Sequence, residues 1–400
     1  MPSKTLSEGS VLLHVGPRKT GTTGIQAGLS RAHDRLASFG VSYPLPARGS
    51  GWTNYDRQRA ASPSWSVLHT APPGFAIPDI SVWERFAGEV RAQADRGLRV
   101  CVSSETFGNA ADPAVTRRII QDLGGERVHV VYATRALYRL LPSHWQQEIK
   151  VNFETRSFDD WLQVVLSDDN PEAARKAFWY AHDLERAART WLEATTSDKF
   201  TVIATDDSDR RLIPQTVETM LGLPDRFLHA DERRSNPSLG VDEVEVLRQV
   251  NVLTRERGWP KKNLTALVQG ATRGLSKGAA EADSRRPLKL PHWAVPLVTD
   301  RAREHRALID DLKLQVVGDP DCLLMPDEIQ TAATGDRPQS VQTNTAAQAI
   351  VETIDASLKL GKKAGDAPAR QPRKPRVAEI SGGTLAKELL KRVGRRMHVR

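Results

Sequence analysis

A chain of 400 residues and 44.2 kDa, 39% hydrophobic with a mean hydropathy of −0.45, carries enough apolar material for a substantial core and too little for a membrane-embedded protein. Its apolar runs, such as Val11-Leu12-Leu13, fall far short of the roughly 20 residues of a spanning helix. Two cysteines, Cys101 and Cys322, exclude a disulfide scaffold or a cysteine-rich metal site. Of 57 basic and 49 acidic residues, positions 361–400 hold 12 and 3, leaving 45 and 46 in the first 360. The pI near 9.5 therefore belongs to the tail, and the charge of the body gives no sign of nucleic-acid binding. The opening MPSKTLSEGS shows no secretory signal, so a reducing cytoplasm is the expected compartment.

In chain order, short β-rich runs at 10–15, 98–103, 128–134 and 200–204 alternate with helical spacing at 22–38, 80–96 and 113–123. Alternation of this kind predicts an α/β fold with a parallel sheet covered on both faces, which also explains why the strands are continuous apolar runs. Residues 44–78 are rich in Pro, Gly, Ser and Trp without periodicity, a length of irregular chain that is usually functional. Residues 138–195 and about 241–310 read as helices, and 312–320 as a short edge strand. The expected organisation is a main α/β domain over 1–330, a helical extension over 331–360 with its helix near 344–359, a disordered basic linker over 361–383, and a basic amphipathic helix over 384–400.

The strongest local signal joins the first strand to the first helix: Val11-Leu12-Leu13-His14-Val15, then Gly16-Pro17-Arg18-Lys19-Thr20-Gly21-Thr22-Thr23. A glycine-bearing turn feeding a helix N-terminus offers backbone N–H groups and the positive end of the helix dipole to an anion. Gly16 and Gly21 have the spacing of a P-loop, but Thr22 stands where its lysine should follow, and Lys19 lies inside the loop instead. Neither 98–105 nor 128–135 ends in the aspartate that helps hold Mg²⁺. No His/Cys cluster has metal-ligand spacing, and no metal is expected.

His-Val-Gly-Pro-x-Lys-Thr-Gly-Thr-Thr resembles the 5′-phosphosulfate loop of sulfotransferases that use 3′-phosphoadenosine 5′-phosphosulfate (PAPS). A second motif, a strand ending in Arg135 followed eight residues on by Ser143, is similar to that family's 3′-phosphate motif. Ser235-Asn236-Pro237-Ser238-Leu239 and Val317-Gly318-Asp319-Pro320 look like recurring elements of its bacterial members. Two places depart from the pattern. Arg18 stands where bacterial relatives often carry His, and the Arg-Lys-Gly loop over the nucleotide is not recognisable, Arg233 or Arg234 being the candidates to replace it.

The resemblance implies a P-loop-type α/β enzyme with PAPS as donor, PAP as product and no metal. Arg18, Lys19, Thr20, Gly21, Thr22, Thr23, Arg135, Ser143 and Arg233 would bind the donor. Lys19 would meet the charge that grows on the leaving oxygen. The acceptor, a hydroxyl or amine of a carbohydrate, lipid-linked or small molecule, needs a base, for which Glu105 after the second apolar strand and His69 are the candidates. His14 reads as strand packing and Trp145 as core. Rival readings are a P-loop nucleotide kinase or NTPase, and a non-catalytic module docking through its basic tail. In the tail, Leu385, Leu389, Val393 and Met397 fall four apart among basic residues, a pattern that fits an anionic membrane surface.

Overall fold

The computed structural model describes residues 4–44, 62–71, 76–168, 170–228, 239–278, 286–335, 338 and 340–365. The chain begins with β1 (Val11–His14), α1 (Thr22–Leu36), β2 (Val41–Ser42), α2 (Pro63–Val67), α3 (Ile80–Asp95), β3 (Arg99–Ser103), α4 (Pro113–Leu123), β4 (Val128–Arg135) and α5 (Leu137–Gln147). It continues through α6 (Phe158–Leu166), α7 (Ala173–His182), α8 (Leu184–Leu192), β5 (Phe200–Thr205), α9 (Leu212–Leu221) and α10 (Val241–Glu256). The last described elements are α11 (Lys261–Gly278), α12 (Ala294–Asp311), β6 (Gln315–Val317) and α13 (Thr343–Gly365).

The six strands of the described residues are all parallel, in the order β2-β3-β1-β4-β5-β6. This is a P-loop-like α/β fold. β1 is central: Val11 aligns with Val100 of β3 on one side and with Val128 of β4 on the other. The chain leaves β1 towards one edge and later crosses to the other, which opens a crevice at the carboxyl end of β1 where such sheets bind ligands. The edge strands β2 and β6 have two and three residues, too short to invite pairing with another sheet.

Alternation along the strands divides the core. In β4, Val130 and Tyr132 face one way with Trp83 and Val90 of α3, Ile119 and Leu123 of α4, and Trp191 of α8. Val131 and Ala133 face the other way with Ile25 and Leu29 of α1 and Val217 and Leu221 of α9. The remaining helices bury a third cluster of their own, around Leu141, Trp145, Trp161, Phe178, Leu247, Leu275 and Val298. α13 joins this cluster through Ala349.

The structure corrects several expectations in detail. β2 is too short to leave a periodic signature. The last described helix continues to Gly365, past the expected end near 359, because Lys359 to Ala364 are mostly good helix formers and extension is cheap once a helix exists. The remainder of the expected linker, 366–383, and the expected helix 384–400 lie outside the described residues, as do Arg233, Arg234 and Ser235 to Ser238. No described helix is long and apolar enough to cross a membrane.

Candidate functional site

The loop from β1 to α1 is set by two glycines. Gly21 caps α1 with φ 94°, a left-handed conformation that other residues adopt only with strain. A Cβ at Gly16 would stand 2.7 Å from Nε2 of His14, so the imidazole requires glycine there. Lys19 itself has φ 70°, the kind of backbone strain that persists where the surroundings over-determine it. Those surroundings are visible: Thr20 Oγ1 donates to the Pro17 carbonyl at 2.8 Å, and Arg135 Nη1 donates to the Lys19 carbonyl at 3.3 Å.

His14 is fully buried, and its pKa is lowered to about 4 by that burial, so the ring is neutral. Its proton can be assigned from its neighbours. Gln26 of α1 approaches Glu105 Oε2 at 3.2 Å, and a carboxylate only accepts, so the Gln26 amide nitrogen points that way. The same nitrogen lies 3.4 Å from Ser103 Oγ, which leaves the Ser103 hydroxyl proton for His14 Nδ1 at 2.9 Å. The ring proton then sits on Nε2, which has no partner and is aimed at the Gly16 turn. An unpaired buried donor at this point costs free energy unless something accepts from it. Strand packing, the sequence expectation for His14, describes only half of its environment.

Glu105 is half-buried at the carboxyl end of β3, in the turn 105–109. That turn lies directly on the loop, since a Cβ at Gly108 would meet the Val15 carbonyl at 3.1 Å and Pro17 Cα at 3.4 Å. Gln26 ties the carboxylate to α1. His69 is exposed just past α2, with φ 47°, and no hydrogen bond or ion pair joins it to the loop or to Glu105. Ser64, from the same helix, does reach Ser104 Oγ at 3.1 Å.

Arg135 ends β4 as expected. Its Nη2 donates to Asp207 Oδ2 at 2.5 Å, Asp207 also meets Arg139 at 3.4 Å, and Arg135 Nε is buried without a partner. Ser143 is half-buried on α5, and its hydroxyl hydrogen-bonds to no other described side chain. Thr22 is buried in the first turn of α1 and Thr23 is exposed beside it. Arg233 lies outside the described residues.

The residue that sequence reasoning missed is Lys150. After α5 the chain makes one π turn, Glu148–Asn152, and ends it with Phe153 at φ 58°. A π turn inserts an extra residue and re-aims the side chains that follow. Here it turns Lys150 towards Lys19. Both ammonium pKa values fall from 10.5 to about 8, through burial first, then through Arg18 and Arg135 at Lys19 and through Lys19 at Lys150. Among the described residues no carboxylate is within ion-pair distance of either. Arg18, the third cation, acts on a neighbouring polar chain. His182 Nε2 and His144 Nδ1 are 2.9 Å apart, and His144 Nε2 is 3.4 Å from Glu148. Burial pushes the Glu148 carboxyl up, but His144, Asn152 and Arg18 outweigh it and hold it below the usual range. Burial, His144 and Arg18 keep His182 well below its ordinary pKa.

Half-buried cations that repel one another are unfavourable unless an anion completes them. Together with the helix N-terminus and the unpaired His14 donor, they form a cradle of positive charge and N–H donors, an arrangement able to accept an anion. Among the described residues no group of acidic, histidine or cysteine side chains could hold a metal. No model of a known protein family matches the chain, and no curated protein matches it.

Proposed function

We propose that the chain is a sulfotransferase that takes a sulfuryl group from PAPS and passes it to a hydroxyl or amine of a carbohydrate, lipid-linked or small-molecule acceptor. The observation that carries this reading is the pair Lys19 and Lys150: two half-buried ammonium groups, one in the P-loop-like turn and one facing it from the π turn after α5, with no carboxylate among the described residues to neutralise them. A nucleotide with phosphates at both its 3′ and 5′ positions offers the several negative charges such a cradle demands. A lysine inside the loop, rather than after Gly21, suits a sulfuryl group, which carries less charge than a terminal phosphoryl and needs less metal clamping.

When bound, PAPS would supply an activated sulfuryl group on its 5′-phosphate. The first-turn amides of α1 and the hydroxyls of Thr22 and Thr23 would hold that phosphate, and His14 Nε2–H would find its acceptor there. Lys19 would donate from Nζ to the bridging oxygen as its bond to sulfur breaks, with Lys150 adding a second positive charge to the same region. Arg135, backed by Ser143, would exchange Asp207 for the 3′-phosphate, a charge-assisted contact of the forked kind arginine favours. Glu105 is the base of choice over His69, because its turn packs on the loop and Gln26 fixes its carboxylate. It would take the acceptor proton as the new bond to sulfur forms.

Incubating the full-length protein with sulfur-35 PAPS and an extract of the cells that make it tests the reading. Label is expected in an acceptor, without added Mg²⁺ and not with Lys19→Ala. Label that stays in PAPS or inorganic sulfate whatever the extract fraction would count against it.

A further inference from the structure

α13 is built the opposite way from an ordinary surface helix. Its inward side is small: Thr345, Ala349 and Ala356 are buried. Its outward side is large and aliphatic, with Ile350, Val351, Ile354 and Leu358 exposed by 60, 63, 53 and 63%. At 100° per residue these four fall within one quarter-to-third of the helix circumference, opposite the buried alanines. The inward side is small because α13 presses onto glycines of α11. A Cβ at Gly270 would meet the Glu352 carbonyl at 2.6 Å, and one at Gly274 would overlap Gln348. Those contacts also give the direction. Gly270 faces Glu352 and Ala356 while Gly274 faces Gln348 and Ala349, so the two helices are antiparallel.

The start of α11 therefore lies beside the end of α13. Just before that start, Trp259 is 47% exposed with the Arg257 guanidinium over its ring at 6.0 Å, and Leu253, at the end of α10, is 46% exposed. Lys261 and Lys262 follow Trp259 in sequence, and the sequence that continues from α13 at this end, 366–400, has 10 basic residues against 3 acidic ones. Exposed aliphatics, a tryptophan at their margin with an arginine over its ring, and a strongly basic sequence that follows the helix are the components of an interfacial membrane contact. A second copy of the chain is a poorer match, because pairing two α13 faces would bring two such basic runs together.

We propose that the outer face of α13, with Trp259 beside its end, docks on an anionic lipid bilayer, the aliphatic side chains entering the interface and the basic residues meeting the headgroups. The docking is independent of what the P-loop-like cradle binds.

Flotation of the full-length protein with phosphatidylcholine vesicles, with and without phosphatidylglycerol, tests this. Wild type is expected to float with the anionic vesicles and less with the neutral ones or in high salt. Ile354→Glu with Leu358→Glu should lower partitioning about tenfold or more while leaving the thermal melt in place, since both positions are exposed. Ile354→Ser with Leu358→Ser, a gentler change, should shift it the same way. Wild type that never floats, variants that float as well as wild type, or a dimer in light scattering that the variants disperse would each overturn the proposal.

Discussion

At the scale of single residues, the account rests on like charges brought together in a half-buried site where water screens them poorly. Lys150 gives the sharpest prediction, because on the proposed function it would burden the free protein and serve the ligand. Lys150→Met keeps the volume and removes the charge, so it should raise the stability of the ligand-free protein by on the order of 1–3 kcal/mol at neutral pH while weakening PAP binding. A gain in denaturant midpoint together with a loss of affinity is the expected pair. A merely structural lysine would lose stability instead. The pH dependence has a definite sign. Folding holds Lys19 and Lys150 near 8 against 10.5 for a free lysine, so between those values the unfolded chain binds more protons. Their cost to the fold is full below about pH 8 and is relieved as pH rises towards 10.5. Wild type should therefore gain stability relative to Lys150→Met over that window, which urea titrations at several pH values would measure. For the base, Glu105→Gln preserves size and the contact to Gln26 but not basicity. Transfer should fall by about 10²–10⁴-fold with PAP affinity retained. If His69→Ala is the dead variant and Glu105→Gln the active one, the base is His69.

The same scale explains which residues could be read in the sequence. Lys19 and Thr22 stand out because a strand, a glycine turn and a helix follow in order, and Arg135 because it closes a strand that runs into a helix; local order is what sequence records. Lys150 does not, since its direction depends on a π turn that no periodicity marks. His14 sits among apolar strand residues and reads as packing. Its unpaired Nε2 is evident only in the fold, through the hydrogen bond to Ser103, 89 residues away.

At the scale of elements, strands and helices were largely legible: the runs at 98–103 and 200–204 became β3 and β5 almost residue for residue. β2 escaped, being two residues held by register with β3 rather than by its own pattern. The spacing of Gly270 and Gly274 also carried no visible signal, because its meaning lies in α13, some 80 residues on. It has a measurable consequence. Gly274→Ala would normally stabilise a helix interior by about 0.5–1 kcal/mol. Here the added methyl overlaps the Gln348 carbonyl, so the variant should lose about 1–3 kcal/mol and its melting temperature should fall. An unchanged or higher melting temperature would mean that α13 does not sit on α11 as described.

At the scale of the whole molecule, sheet order is the feature that sequence could not supply. Nothing local says that β3 and β4, rather than β2, flank β1, yet this arrangement puts Glu105 and Arg135 on either side of the same loop. The central claim is that this arrangement is a metal-independent site for PAPS and its product PAP. Titration calorimetry of PAP into the full-length protein in EDTA tests it most directly. The account predicts saturable binding that weakens as pH is raised through about 8, where Lys19 and Lys150 lose their protons, and that falls sharply in Arg135→Ala, by about 1.5–3 kcal/mol. Absence of PAP binding, or binding of ATP with Mg²⁺ in preference to PAP, would contradict it.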